Sequence, residues 1–144
     1  KVKKASVSVD GKVVGEIDKG YFLLVGVHKE STEADAKYVA KKIVEARLFE
    51  DENEKLNLGL KDVNGSILSV SQFTLYADTK KGKRPSFTNA AGAEKANELY
   101  NRFNDYLREE NIKVETGIFQ TMIEVNIIND GPVTIIYEKL SSGN

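Results

Sequence analysis

The sequence predicts an α/β (α+β) fold, a layered β/β/α domain whose antiparallel-rich sheets carry two main helices packed on one side. Three observations point there. Runs with strand periodicity outnumber helical ones, and only two stretches, near 32–47 and 93–110, repeat apolar residues at helical spacing. The turn dipeptides Asp10-Gly11 and Asn64-Gly65 punctuate the strand-like runs. Helices segregated from strands in this way fit one face of a sheet. At 144 residues the chain is expected to be a single domain over residues 1–144. A chain of that size buries roughly 68–70% of its unfolded surface.

In chain order, Ala5 to Val9 alternates as a half-buried strand, Asp10-Gly11 turns, and Lys12 to Ile17 returns. After Asp18-Lys19-Gly20, the run Tyr21 to Val27 lacks polar alternation and reads as a strand covered on both faces. Thr32 with Asp35 forms a helix capping pattern. Ala36, Val39, Ala40, Ile43 and Val44 then make one apolar stripe ending near Arg47. Lys55-Leu56-Asn57-Leu58 reads as a short strand. Asn64-Gly65 signals a hairpin, and Ser66 to Leu75 the strand after it. From about Ala93 to Glu110 a second helix places Ala96, Leu99, Tyr100, Phe103 and Leu107 on one face. Val114 to Ile118, Ile123 to Ile128 and Val133 to Tyr137 read as strands, and Ser141 to Asn144 as a frayed tail.

Composition narrows the chemistry. There is no cysteine, which removes disulfides, thiolate metal sites and cysteine nucleophiles. The single histidine, His28, rules out a multi-histidine metal site, and at a strand end it reads as a surface or loop residue rather than a catalyst. Glu50, Asp51, Glu52 and Glu54 cluster in a turn without calcium-loop spacing. No metal site and no cofactor are therefore expected. A net charge of -1 supplies no global field for a polyanion, so any such partner must meet a local patch. The chain opens Lys1-Val2-Lys3-Lys4 without a secretory apolar segment, and Tyr21 to Val27 is too short to span a bilayer. The expectation is a soluble cytoplasmic protein with no membrane partner, its sequence beginning inside the natural chain or after processing.

Two stretches stand out. Ser71-Gln72-Phe73-Thr74-Leu75 places a hydroxyl, an amide and an aromatic ring where an aliphatic strand would otherwise continue. Thr74 is a poor nucleophile without a base, and none is evident locally; its bland alternative is a β-branched strand residue. Asn129-Asp130-Gly131-Pro132-Val133-Thr134 interrupts another apolar run. An X-Pro bond is cis in only about 5–6% of cases, so the isomer stays open. Between them, Lys80, Lys81, Lys83 and Arg84 surround Gly82 in a loop that reads either as a solvated turn or as a phosphate contact.

At these residues the sequence resembles the D-aminoacyl-tRNA deacylases, also called D-tyrosyl-tRNA deacylases. The pentapeptide 71–75 is similar to the family signature and 129–134 to its Gly-cisPro segment. The likeness extends to Ala5-Ser6-Val7 with Asp10-Gly11, to Arg47 through Asp51, and to Arg84-Pro85-Ser86-Phe87. The resemblance implies a hydrolase that cleaves the ester of D-aminoacyl-tRNA at the acceptor end, releases mischarged glycine, and rejects L-aminoacyl-tRNA. It implies Gln72, Phe73 and Thr74 as catalytic and Ser71, Leu75, Gly131 and Pro132 as substrate-binding; the basic loop beside 71–75 then reads as tRNA-binding through Lys80, Lys81, Lys83 and Arg84. It also implies a homodimer in which Gly131-Pro132 enters the partner's site and excludes an L side chain.

For mechanism it implies assistance by the terminal adenosine 2′-hydroxyl, with Phe73 and Thr74 amides facing the oxyanion. The alternatives are Thr74 as nucleophile, a tRNA-binding module without activity, and a generic esterase indifferent to tRNA. Gln120-Thr121-Met122-Ile123 departs from the family's usual Gly-Ala-Asp-Met, and the family begins earlier than Lys1.

Overall fold

In the computed structural model, which describes residues 1–141, a six-stranded sheet folds over itself into two layers with the helices on one side. Strands β1 (Val2–Val9) and β2 (Lys12–Ile17) form the hairpin expected at Asp10-Gly11. Both turn residues take positive φ, 49° and 79°, as a tight two-residue hairpin turn requires. Strand β8 (Glu124–Asn129) pairs antiparallel along the other edge of β1 and completes the first layer. In the second layer, β6 (Ser66–Ser71) lies between β3 (Gly20–Val25) and β7 (Val114–Thr116), parallel to both.

Gly20 is the corner between the layers. It pairs with Val2 on the β1 edge that carries β2, and with Ser66 on β6. A Cβ at Gly20 would lie 1.8 Å from the Ser66 carbonyl oxygen, so only glycine allows this approach.

Helices α1 (Glu33–Glu45) and α2 (Ala93–Glu109) cover the outer face of the second layer. Strand alternation then divides the core in two. Tyr21, Ile67 and Val114 pack toward the helices with Ala40, Ile43, Val44, Phe103 and Leu107. Leu68 points the other way, into a cluster with Val2, Ala5, Val7 and Ile17 between the layers. Ile67, Leu68 and Ser69 are 0% exposed and Val70 3%, so β6 has no solvent face. Truncating Leu68 to alanine would cost about 2–5 kcal/mol. The expected helical stripe on α2 is present, with Ala96, Tyr100, Phe103 and Leu107 buried. A separate pair, β4 (Phe49–Glu50) with β5 (Leu56–Leu58), flanks the layers.

Several expectations are corrected. Asn64-Gly65 is a turn but joins no hairpin, because β5 pairs with β4 while β6 pairs with β3 and β7. Double-sided coverage of β3 stops short of Leu24, which is exposed. Helix α1 ends at Glu45 and β7 at Thr116, earlier than their apolar patterns suggest. Val133 to Tyr137 forms no strand. Both edges of β1, the strand it lies against, are already taken by β2 and β8, so the segment cannot pair there. Side chains hold it instead: Tyr137 packs on the helix-side core and the Lys139 ammonium lies 5.3 Å from the Tyr38 ring.

Of the expected frayed tail, Ser142, Gly143 and Asn144 lie outside the described residues. Ser141 is anchored, because its amide and hydroxyl both donate to the Asp35 carboxylate. Asp35 is buried and also completes the capping box of α1. Its amide donates to Thr32 Oγ1 (3.2 Å) and its carboxylate accepts from the Thr32 amide (3.0 Å). Burial pushes this carboxyl up, but the Ser141 and Thr32 donors outweigh it and hold the group below the usual aspartate range.

A carboxylate depressed in the fold contributes stability above its unfolded pKa, near 3.9, and loses that contribution as pH falls through the folded value. Asp35→Asn should therefore destabilise the protein at pH 7 by on the order of 1 kcal/mol. In urea unfolding the gap to the parent should close as pH drops below the carboxylate range. A gap of equal size at both pH values would mean that the ionised carboxylate is not its source.

Candidate functional site

Strand β6 delivers the 71–75 stretch, but the strand itself stops at Ser71. Its last rung is the bond from the Gln72 amide to the Val25 carbonyl, 2.8 Å. Beyond it, β3 has ended at Val25 and the pairing with β7 has ended at Ser69, so no strand edge remains. The chain coils into a 3-10 turn, Phe73–Tyr76, in place of the strand expected through Leu75. The Leu75 amide closes the turn on the Gln72 carbonyl at 3.3 Å. A turn of this kind leaves its first amides without intrahelical partners. Among the described residues, neither the Phe73 nor the Thr74 amide has a backbone or side-chain acceptor.

Three side chains of the turn are open to solvent, Phe73 at 56% and Leu75 at 52% exposed with Thr74 between them, while Tyr76 is half-buried. Gln72 Nε2 donates to Thr74 Oγ1. No carboxylate or imidazole hydrogen-bonds Thr74 among the described residues. The Phe73 ring meets Phe87 edge-on at 5.1 Å and 69°. Phe87 is a neighbour that no spacing signal in the sequence identifies. His28 lies in the loop between β3 and α1, as expected, but it is buried there rather than at the surface, only 9% exposed. Its Nδ1 accepts from the Glu30 amide (3.0 Å), and its ring stands edge-on to Tyr76 at 5.1 Å and 77°.

The basic loop continues directly from the turn. Asp78 and Ser86 exchange backbone hydrogen bonds of 2.7 and 2.8 Å and so close its base. The Lys80 amide donates to Asp78 Oδ1 at 2.9 Å, and Gly82 takes φ +69° at the tip. Lys80, Lys81, Lys83 and Arg84 are exposed, and none forms an ion pair with a described residue. The four cations thus sit on one pinned loop beside the open end of β6.

The second stretch lies elsewhere. The Gly131-Pro132 peptide is cis, and Gly131 takes φ +118°, a conformation that disfavours any residue with a side chain. The segment is tied to the beginning of β1. The Lys1 main-chain nitrogen donates to the Val133 carbonyl (3.0 Å), and the Asp130 amide to the Lys1 carbonyl (2.8 Å). Asn129 Nδ2 donates to Thr134 Oγ1 at 3.2 Å. Gly131 and Pro132 are both exposed.

Register fixes how far the two stretches stand apart. Val2 pairs with Gly20 and Gly20 with Ser66, whereas the motif follows the Val25–Ser71 pair. Five residues of strand separate these rungs, about 17 Å. Within one chain, Gly131-Pro132 and Thr74 therefore belong to opposite ends of the sheet. In the departing stretch, residues 120–122 form an exposed loop, with Gln120 at φ +56° and Met122 91% exposed, while Ile123 packs against the inter-layer cluster. Just before it, Phe119 packs with Val27, Ala91 and Ala96 and lies 6.5 Å from the Tyr100 ring. Among the described residues there is no group of three or more acidic or histidine side chains placed to hold a metal ion. No helix among them is long and apolar enough to cross a membrane.

Comparison with known proteins covers the chain almost end to end. A family model described as D-Tyr-tRNA(Tyr) deacylase matches residues 1–138. The D-aminoacyl-tRNA deacylase of Staphylococcus haemolyticus (strain JCSC1435) is 59% identical over 138 residues, 96% of this chain and 91% of that one. Its counterpart in Shouchella clausii (strain KSM-K16) is 56% identical over 138 residues, 96% and 94% of the two chains. Among solved structures, a c-Myc DNA unwinding element binding protein superposes with a TM-score of 0.90 at 37% identity, covering 96% of this chain and 95% of that one. A probable eukaryotic D-amino acid tRNA deacylase superposes at 0.71 with 17% identity over 91% of each chain, a likeness of fold.

Proposed function

The chain belongs to the D-Tyr-tRNA(Tyr) deacylase family, and from that premise we propose how its site performs the hydrolysis. It is an enzyme, a D-aminoacyl-tRNA deacylase that splits the ester between a D-amino acid and the terminal adenosine of tRNA. The observation that carries the mechanism is the pair of free amides at Phe73 and Thr74, set at the open end of β6 with no carboxylate or imidazole hydrogen-bonded to Thr74 among the described residues. The ester carbonyl rests against these amides. Water adds to the carbonyl carbon, and the developing oxyanion is met by N–H donors already in place. The adenosine 2′-hydroxyl assists the attacking water. The ester C–O bond then breaks, and the 3′-oxygen leaves with a proton.

A nucleophilic Thr74 is the second reading, because Gln72 touches its hydroxyl. An amide cannot take up the hydroxyl proton whichever way it is turned, so Gln72 does not activate Thr74. A tRNA-binding module without activity is the third reading, and the intact amide pair speaks against it.

Chirality is proposed to come from a second copy. Strand β8 has one edge without a neighbouring strand among the described residues, and Val125, Ile127 and Ile128 on it are exposed. Ile135 and Ile136 in the following segment are 51% and 89% exposed. An apolar open edge of this kind suits a two-fold isologous interface. In that dimer the Gly131-Pro132 carbonyls of one chain meet the substrate amino group held by the other. They leave room for hydrogen in the L side-chain position and none for carbon. D-Aminoacyl and glycyl esters enter, and L-aminoacyl esters do not. The Lys80–Arg84 loop contacts acceptor-stem phosphates, and the substrate sets the cytoplasm as the place of work.

Thr74→Ala should keep deacylation of D-tyrosyl-tRNA within about tenfold of the parent. A thousandfold fall, roughly 4 kcal/mol of barrier, would transfer the chemistry to the hydroxyl. Substrate ending in 2′-deoxyadenosine should be nearly inert in the same assay, and normal turnover would remove the 2′-hydroxyl from the mechanism.

Neutralising Lys81 and Arg84 together should weaken tRNA binding and flatten its log–log salt slope by about 1.4–1.8. An unchanged slope would return the loop to a solvated turn. Ile127→Lys should yield monomers in sedimentation velocity and abolish deacylation; a monomer with full activity would refute the composite site.

A further inference from the structure

The proposed chemistry needs two amides held at one pitch, yet the turn that carries them is only four residues long and exposed. We propose that Gly26 and His28 are positioning residues, the two ends of a seat that fixes the Phe73–Tyr76 turn relative to the bound ester. This rests on reading the Phe73 and Thr74 amides as the oxyanion donors.

At the front of the seat, the requirement at Gly26 is space. A Cβ there would lie 3.1 Å from Leu75 Cβ, 3.3 Å from Leu75 Cδ1 and 3.3 Å from the Gln72 carbonyl oxygen. Its φ lies outside the left-handed region, so the backbone conformation alone would accept other residues. The atoms it would press on belong to the turn and to the residue that begins it. An added methyl group would therefore push the turn away from β3 by a few tenths of an ångström.

The rear of the seat is the edge-on contact of His28 with Tyr76, the last residue of the turn. The imidazole is itself immobilised. The His28 amide donates to Ser31 Oγ (2.9 Å), its carbonyl accepts from the Ser31 amide (3.0 Å), and its Nδ1 accepts from Glu30. Between the two ends, Val27 is buried with Ala91 and Ala96, and its carbonyl accepts from the Ala91 amide at 2.9 Å. Residues 26–28 thus form a fixed rail running from the Gln72 carbonyl at one end of the turn to the Tyr76 ring at the other. A displacement of about 1 Å at a reacting centre can cost on the order of a hundredfold in rate, so a few tenths should already be visible.

The test is steady-state kinetics on D-tyrosyl-tRNA, alongside thermal unfolding, for Gly26→Ala, His28→Asn and His28→Phe. Gly26→Ala should lower kcat about tenfold with KM within about twofold and Tm within about 3 °C of the parent. His28→Asn keeps an acceptor near the Glu30 amide but lacks the ring, and kcat should fall several-fold. His28→Phe restores an edge-on ring for Tyr76 and should recover most of that loss. Parental kcat in both Gly26→Ala and His28→Asn would overturn the seat, as would losses confined to KM or Tm. If Gly26→Ala does not fold, the His28 pair decides. An unmodified protein inert on D-tyrosyl-tRNA would defeat the functional reading itself, whereas an active parent with insensitive variants defeats only the seat.

Discussion

Strand β6 is covered on both faces, and the architecture follows from that constraint. Ile67 faces the helices and Leu68 the first layer, so a one-residue slip would exchange two cores at once. Parallel pairing fills both edges of the strand, and the helices and the first layer cover its two faces. A strand so enclosed has no place for polar chemistry along its length. The first position where hydroxyls and amides reach water is where the cover stops, and there the chain also runs out of neighbouring strands. Loss of cover and loss of pairing coincide within two residues of Ser71. The unpaired amides are a direct result.

The elements legible in the sequence were those written in local chemistry. Thr32 with Asp35 specifies a capping box whatever lies beyond it, Asp10-Gly11 specifies its turn, and the α2 stripe specifies a buried face. The end of β6 was hidden because Phe73, Thr74 and Leu75 are good strand residues, and only the shorter neighbours decide that they coil. Val133 to Tyr137 misled for the same reason: its composition suits a strand, but the β1 edges were already occupied. The burial of His28 in its loop was hidden because nothing local announces that Tyr76 and the 89–91 segment will cover it.

The candidate site was readable as a set of residues, not as an arrangement. Gln72, Thr74, Gly131 and Pro132 stand out by type and order. Backbone amides leave no signature in a sequence, and the distance between the two stretches depends on strand order. The basic loop was legible as charge, but its freedom from ion pairs was not. Arg102 and Lys61 engage Glu33 and Glu110, while the four cations at 80–84 engage no described carboxylate. On a chain of net charge -1 such a patch acts locally, since screening confines it to about 8 Å at physiological salt. It suits contact with a backbone already close by better than long-range capture.

The separation of Gly131-Pro132 from Thr74 bears on when such an enzyme becomes active. If each chain keeps one wall of a site and lends the other, a newly made chain is latent. It carries the amides but lacks the element that tells D from L. Discrimination then arrives only with assembly, at a protein concentration set by the dimer's own affinity. A cell that makes few copies gains no indiscriminate esterase among its correctly charged tRNAs, because an unpaired chain has no closed pocket in which to hold the ester.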